Sequence, residues 1–180
     1  GVDLYELVLT NKEVQIMLQK MIRKWFTRSG TVYNGFLRAL LEDDVKSMNA
    51  YMNRVALATF SYFDSGRTPS METQPERFYH GFVLGLSVEL ADRYLITSNR
   101  ESGFGRYDVM MEPKNGTDNA MIIEFKVRDS GEEAALEDTA KAALKQIEEK
   151  RYGAVLENRG VGSGRMRKYG FAFEGKVGLI

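Results

Sequence analysis

The spacing of apolar residues divides this chain into a helical first part and a mixed second part. In the first part, apolar side chains recur at intervals of three and four, which is the period of amphipathic helices. Residues 65–75 hold two of the three prolines and predict the link between the parts. We therefore expect a helical segment over 1–70 and a second domain over 71–180. The elements predicted for the first part are a short strand over 1–10 and helices over 11–29, 35–41 and 45–63.

Alternating strands and helices are predicted for the second part, an order typical of an α/β fold. One helix begins at Pro75, and Ser130 with Glu133 forms a capping-box pattern that begins a later helix. We expect this later helix to cross between two parallel strands. The predicted helices cover 76–92, 132–150 and 152–158, a loop covers 98–105, and the predicted strands cover 94–97, 106–111, 121–127, 169–173 and 176–180.

Charged residues interrupt the two strands on either side of the dipeptide Asn115-Gly116. Asn-Gly between two apolar runs is a strong signal of an antiparallel β-hairpin. A hairpin centred near Gly116 pairs positions whose numbers sum to about 232, so Asp108 is expected opposite Glu124. Because side chains alternate faces along a strand, Lys126 shares the face of Glu124. The sequence therefore predicts three ionisable groups on one patch.

Two opposed carboxylates in apolar strands require compensation, because like charges directly across a ladder are destabilising. Three compensations are open: a raised pKa, the Lys126 ammonium group, or a bound cation. Oxygen ligands favour a hard divalent ion such as Mg²⁺ or Mn²⁺. Alternatively, the same residues form a solvated cluster of ion pairs, which contributes about 0 to 1 kcal/mol to stability.

Composition narrows the class of protein. The chain has no cysteine, which excludes disulfides and thiolate metal sites. No apolar run approaches the roughly 18 residues that span a bilayer, so we expect a cytoplasmic protein without membrane contact. The formal net charge is zero, but from Lys141 onward nine basic residues stand against four acidic ones. This local excess is compatible with a surface that binds phosphate groups.

Four motifs carry a resemblance to a known family. They read PERFYHG from Pro75, SNRESGFGRYD ending at Asp108, IEFK ending at Lys126 and QIEEKRY from Gln146. Together they resemble the PD-(D/E)XK nuclease superfamily, and in particular the nuclease-like domain at the C-terminus of bacterial proteins that begin with an AAA-type ATPase. The resemblance covers about residues 72–180. It implies a restriction-endonuclease-like core, a mixed central sheet flanked by helices, here with an N-terminal helical subdomain.

The resemblance also implies metal-dependent hydrolysis of phosphodiester bonds in nucleic acid, with DNA favoured as the substrate. Asp108, Glu124 and the Phe125 carbonyl would bind Mg²⁺ or Mn²⁺. Lys126 would orient or activate the attacking water and stabilise the charge that develops on phosphorus.

Further residues match the pattern of the superfamily less closely. Glu76 matches the acid of its first helix, and Gln146 matches the polar residue on the helix after the ExK strand. Tyr107 stands where the superfamily name has proline. The only histidine, His80, is expected to be packed and hydrogen-bonded, and Glu89 falls within the apolar arc of its helix. The basic residues predicted to contact nucleic acid are Arg100, Arg106, Arg165, Arg167 and Lys168.

A second function stays open on the same fold. The domain could be a catalytically inactive module that binds nucleic acid or couples to an ATPase. The helices over 1–70 also resemble the segment that joins the ATPase to this domain in that family. We therefore expect the chain to be a fragment that lacks a covalently linked ATPase domain.

Overall fold

The computed structural model describes residues 32–59 and 75–180, including the side chains of 35–58 and 79–180. The strand predicted over 1–10 and the helix predicted over 11–29 lie outside these residues. In the described ranges no helix combines the length and the hydropathy that a membrane span requires. The helices are α1 (Val32–Glu42), α2 (Val45–Thr59), α3 (Pro75–Ser87), α4 (Leu136–Glu149) and α5 (Ala154–Asn158), with 3₁₀ turns at Val88–Leu90 and Ser163–Arg165.

A five-stranded mixed sheet forms the centre of the described fold. Its strands are ordered β1-β2-β3-β4-β5, and every neighbouring pair is antiparallel except β3 and β4, which run parallel. Since α4 lies between β3 and β4 in the chain, the predicted crossover is confirmed, as is the predicted α/β class with a mixed sheet flanked by helices. The strands are β1 (Tyr94–Ser102), β2 (Gly105–Pro113), β3 (Ala120–Val127), β4 (Met166–Glu174) and β5 (Val177–Leu179).

The sheet separates two hydrophobic clusters. On one face α1, α2 and α3 pack against the sheet, where the ring of Tyr79 stacks on that of Phe173 with centroids 3.6 Å apart. On the other face α4 and α5 pack against β2 and β3. The alternation predicted for β3 is confirmed, because Ile122 belongs to the cluster under α4 whereas Ile123 belongs to the opposite cluster. The hairpin of β2 and β3 therefore contributes to both halves of the core.

The prediction of a loop over 98–105 is wrong, because β1 continues to Ser102 and β2 begins at Gly105. The two strands are joined by a tight turn in which Gly103 has a φ of 61°, a left-handed conformation that favours glycine. The polar sequence suggested a loop, but β1 is an edge strand with exposed side chains, so polar residues are compatible with it. This hairpin lies beside the predicted hairpin of β2 and β3, and the two share β2.

The prediction that a capping box at Ser130 and Glu133 begins the later helix is also wrong, since α4 begins at Leu136. The Asp138 carboxylate, at the third position of the helix, accepts a hydrogen bond from the Ala135 amide at 3.1 Å. Glu133 instead accepts a hydrogen bond from the Asp129 amide and stabilises the preceding turn. The capping pattern at Ser130 thus lies five residues before Ala135, the observed N-cap of α4.

Gly170 allows α4 to approach the sheet closely. A methyl group at this position would lie 2.4 Å from the Ala140 carbonyl oxygen and 3.0 Å from the Ala143 methyl group. In the parallel pairing of β3 with β4, Gly170 is also the partner of Glu124. The closest approach of helix and sheet therefore lies beside one of the predicted site residues.

We predict that Gly170→Ala destabilises the protein by about 1–3 kcal/mol, because the added methyl group forces α4 away from the sheet. The measurement is the free energy of unfolding by urea denaturation. Gly164→Ala is the matched control, since a methyl group there meets no heavy atom within 4 Å. Equal losses in the two variants would show that helix approach is not the cause.

Candidate active site

The ladder between β2 and β3 ends where the predicted site begins. Its pairs run from Met111 with Met121 to Val109 with Ile123. Their numbers sum to 232, so the predicted register is correct and its continuation sets Asp108 opposite Glu124. Beyond Ile123 the pairing stops, and the Phe125 amide donates a hydrogen bond to Asp108 Oδ2 at 2.8 Å. A side-chain oxygen thus replaces the backbone acceptor that a regular strand would supply.

The neighbouring strand is irregular at the same level. The pairing of β1 with β2 includes Ser98 with Val109 and Arg100 with Tyr107, but not Asn99 with Asp108. Asn99 has a φ of 52°, and asparagine is one of the few non-glycine residues that adopt this left-handed conformation readily. Asp108 therefore lies in a strand whose pairing is interrupted on both sides. Such local irregularity is enriched at functional sites.

Glu124 is held from the helix side. Its side chain is 4% exposed, so its oxygen atoms require partners within the protein. Gln146, on α4, donates a hydrogen bond from Nε2 to Glu124 Oε1. The same amide nitrogen donates to the hydroxyl group of Tyr152 at 3.1 Å. A polar network therefore connects the buried carboxylate of β3 to α4 and to the segment that follows it.

Burial raises the pKa of Asp108, and this is the largest influence on it. The hydrogen bond from the Phe125 amide and the charges of His80 and Lys126 oppose the increase. The side chain of Glu124 makes a smaller contribution in the same direction. Of the three compensations considered for the opposed acids, the raised pKa and the Lys126 charge are both present.

Tyr152 is buried, and burial raises the pKa of its hydroxyl group. The hydrogen bond from Gln146 opposes this increase, whereas the negative charges of Glu124 and Asp108 add to it. The hydroxyl group therefore stays neutral at physiological pH and remains able to donate a proton to a hydrogen bond. Sequence reasoning gave Tyr152 no role, although it ends the motif QIEEKRY.

His80 is packed beneath the site. It is 8% exposed, its Nε2 lies 2.9 Å from Ser98 Oγ, and its ring centroid lies 5.5 Å from that of Phe125. It is thus hydrogen-bonded and packed, as expected from the sequence. Glu89 is exposed in the 3₁₀ turn after α3, so its expected place in the apolar arc is wrong. The side chain of Glu76 lies outside those described.

The five basic residues predicted to bind nucleic acid fall into two groups. Arg100 and Arg106 are exposed near the turn of the β1–β2 hairpin, at the end of the sheet where the β2–β3 ladder stops. The second group is Arg165, Arg167 and Lys168, which lie toward the opposite end of the sheet and have partners within the protein. Their contacts are Arg165 with the Gly116 carbonyl, Arg167 with the Leu41 carbonyl at 2.8 Å, and Lys168 with Glu148 at 2.7 Å.

The donor groups of the site are two carboxylates and a main-chain carbonyl. Among the side chains of 35–58 and 79–180, no three of His, Cys, Asp or Glu are placed to hold a metal ion. A residue in a hydrogen-bonded position of an antiparallel pair directs its N–H and its C=O toward the same neighbour. Because the Phe125 amide is directed toward Asp108, its carbonyl is directed toward the same gap between β2 and β3. The gap therefore offers oxygen donors, which suit hard divalent cations.

We predict that Asp108→Asn raises the free energy of unfolding at neutral pH by about 0.2–1 kcal/mol, because it removes one of two opposed carboxylates. The asparagine Oδ1 can still accept the hydrogen bond from Phe125. In the wild type, the folded state holds the Asp108 proton more tightly than the unfolded state. Its stabilising effect is therefore complete below the ordinary pKa of 3.8 and is lost as pH rises through the raised value.

Urea denaturation in EDTA across a pH series measures this effect, with Glu89→Gln as an exposed control. The difference between Asp108→Asn and the wild type is expected to increase as pH rises. A variant that is less stable than the wild type at every pH would contradict the assignment.

Comparison with known proteins agrees with the geometry. No curated protein and no solved structure matches the chain. The family model of the PD-(D/E)XK nuclease superfamily matches residues 74–180, which is more than half of the sequence. The match includes the β2–β3 hairpin with both carboxylates, Lys126, and the helix that carries Gln146. The chain therefore belongs to the PD-(D/E)XK nuclease superfamily.

Proposed function

We propose that this domain hydrolyses phosphodiester bonds of nucleic acid with the help of Mg²⁺ or Mn²⁺. The observation that carries the proposal is the position of Asp108 opposite Glu124, at the point where β2 and β3 cease to pair. Lys126 follows Glu124 by two residues in β3, and this spacing supports a position on the same strand face. Membership of the superfamily supports this class of reaction.

The donor set fits a hard divalent ion. Asp108, Glu124 and the Phe125 carbonyl are the groups that would hold it, and water or phosphate oxygens complete the shell that such ions prefer. When bound, the ion neutralises charge on the phosphate and lowers the pKa of a coordinated water. The raised pKa of Asp108 supports this assignment, since a bound cation would favour the charged form of the carboxyl group that burial disfavours.

Each side chain has a separate task in this proposal. Glu124 is fixed by the amide of Gln146, and Asp108 is fixed by the amide of Phe125. Lys126 is half-buried and forms no ion pair with any side chain of 35–58 or 79–180. Its ammonium group is therefore available to orient a water molecule and to stabilise negative charge on the phosphate. Gln146 and Tyr152 act as positioning residues.

DNA is the substrate that we propose to test first. A role for Glu76 in the site remains a prediction.

The covalently linked ATPase domain also remains a prediction, which rests on the resemblance of the four motifs and of the helices over 1–70. Mass spectrometry of the protein purified from its source would test that link, because a linked ATPase requires a polypeptide much longer than 180 residues. A cytoplasmic location likewise remains a prediction.

We predict that the wild-type protein binds Mn²⁺ and that Asp108→Ala weakens binding at least tenfold, because one of two carboxylate ligands is lost. Affinity is expected to fall as pH is lowered, since protons compete for the raised-pKa carboxyl group of Asp108. Isothermal titration calorimetry measures both effects. Glu89→Ala is the control, because it removes an exposed carboxylate from another part of the surface. No binding, or equal binding by Asp108→Ala, would refute the metal site.

We predict that the wild type nicks supercoiled plasmid DNA in the presence of Mn²⁺ and that Lys126→Ala lowers the rate about 100-fold or more. Agarose gel electrophoresis over a time course gives the rates. Lys46→Ala, which changes an exposed lysine of α2, should nick at the wild-type rate. Equal nicking by Lys126→Ala would indicate a contaminant or another site. Mn²⁺ binding without nicking by the wild type would favour the catalytically inactive binding module.

A further inference from the structure

The turn of the β1–β2 hairpin places an aromatic ring in solvent at the end of the sheet where the β2–β3 ladder stops. Phe104 is 72% exposed, more than any other large hydrophobic residue among the described side chains. A single exposed hydrophobic residue is common and has no meaning alone. Two features distinguish Phe104: hydrogen bonds hold the backbone of its turn, and the segments that meet at the turn are rich in basic residues.

The turn is fixed against the segment that follows α4. The Phe104 amide donates a hydrogen bond to the Lys150 carbonyl at 2.7 Å, and Ser102 Oγ donates to the Tyr152 carbonyl at 2.7 Å. A methyl group at Gly103 would lie 2.1 Å from the Lys150 carbonyl oxygen, so the main chains are in direct contact. Phe104 therefore projects from a fixed backbone, which lowers the entropy cost of using it for binding.

The same contact connects the turn to the site. A methyl group at Gly105 would lie 3.3 Å from the hydroxyl oxygen of Tyr152. That hydroxyl group accepts the hydrogen bond from Gln146, which in turn donates to Glu124. At about 3.3 Å per strand residue, Phe104 lies roughly 13 Å along β2 from Asp108. A nucleic-acid strand that passes the carboxylates would be within reach of the turn.

The chain segments that meet at the turn are rich in basic residues. Residues 99–106 and 150–152, which the turn brings together, carry four basic side chains and one acidic one. Arg100 and Arg106 are exposed, as are Lys150 and Arg151. Alternation of an aromatic ring with cationic groups is typical of surfaces that bind single strands, where bases stack on rings and phosphates meet positive charge.

We infer that the tip of the β1–β2 hairpin, residues 103–105, is a stacking platform for an unpaired base of the substrate. Arg100 and Arg106 contact the phosphates on either side of that base. The phenylalanine ring has no hydrogen-bonding groups, and the face of a base is open to it only where the base is not stacked within a duplex. This inference rests on the proposed function and narrows its substrate to nucleic acid with a single-stranded segment.

Binding of fluorescein-labelled DNA to the full chain tests the inference. Fluorescence anisotropy in EDTA compares a single-stranded 20-mer with the blunt duplex of the same sequence. Phe104→Ala should weaken single-strand binding about 5- to 150-fold, the range that loss of one stacked base predicts. Duplex binding should change by less than about twofold. Phe104→Trp should retain single-strand affinity, and Val177→Ala, at another exposed apolar position, should match the wild type.

The phosphate contacts are tested by salt dependence. Arg106→Ala should reduce the slope of log affinity against log salt concentration by about 0.7 for the single strand. Unchanged single-strand affinity in Phe104→Ala, equal losses for both DNA forms, or no single-strand binding by the wild type would each overturn the inference.

These outcomes are independent of hydrolysis, because EDTA removes the metal. A wild type that binds through Phe104 but never cleaves would refute the proposed hydrolysis and leave the inference standing. If the wild type cleaves DNA but Phe104→Ala binds single strands as the wild type does, the proposed hydrolysis stands and the stacking platform is refuted.

Discussion

The hydrogen bond from the Phe125 amide to the Asp108 carboxylate is the interaction on which the candidate site depends. A continued ladder would give this amide a backbone acceptor in β2, and the strands would stay closed. Because a side chain takes that place, Asp108 is anchored by β3 and a gap opens between the strands. The cost is burial of a carboxyl group, which appears as its raised pKa. The site thus exists because one backbone pairing is missing.

The helix α4 supplies the second support. It lies close to the sheet at Gly170, the partner of Glu124, and its Gln146 amide reaches the Glu124 carboxylate. A side chain at position 170 would increase the separation between helix and sheet at this level. The two carboxylates are therefore positioned differently: Asp108 by the main chain of the adjacent strand, and Glu124 by a side chain from the crossover helix. Both β3 and α4, which hold the two carboxylates, also contribute side chains to the hydrophobic core.

The hairpin was predictable because its determinants are local: Asn115-Gly116, alternating apolar residues, and a register that the turn position fixes. The parallel crossover followed from element order. The extension of β1 was missed, because its polar residues resemble a loop until the edge position is known. The start of α4 was missed because the capping pattern at Ser130 precedes the observed N-cap, Ala135, by five residues. Tyr152 and Asn99 could not be placed from sequence, since their roles depend on contacts between segments far apart in the chain.

The order of chain segments in the site also bears on how it assembles during folding. The acidic pair is joined by a hairpin of 17 residues, from Asp108 to Glu124, whose closure entropy is small. Gly170 lies beside Glu124 only through the parallel pairing of β3 with β4, which joins segments more distant in the chain. The hairpin can therefore oppose the two acids while they are still solvated, at little cost. The desolvation that raises the pKa of Asp108 is therefore expected to arise late, when the rest of the fold covers the hairpin.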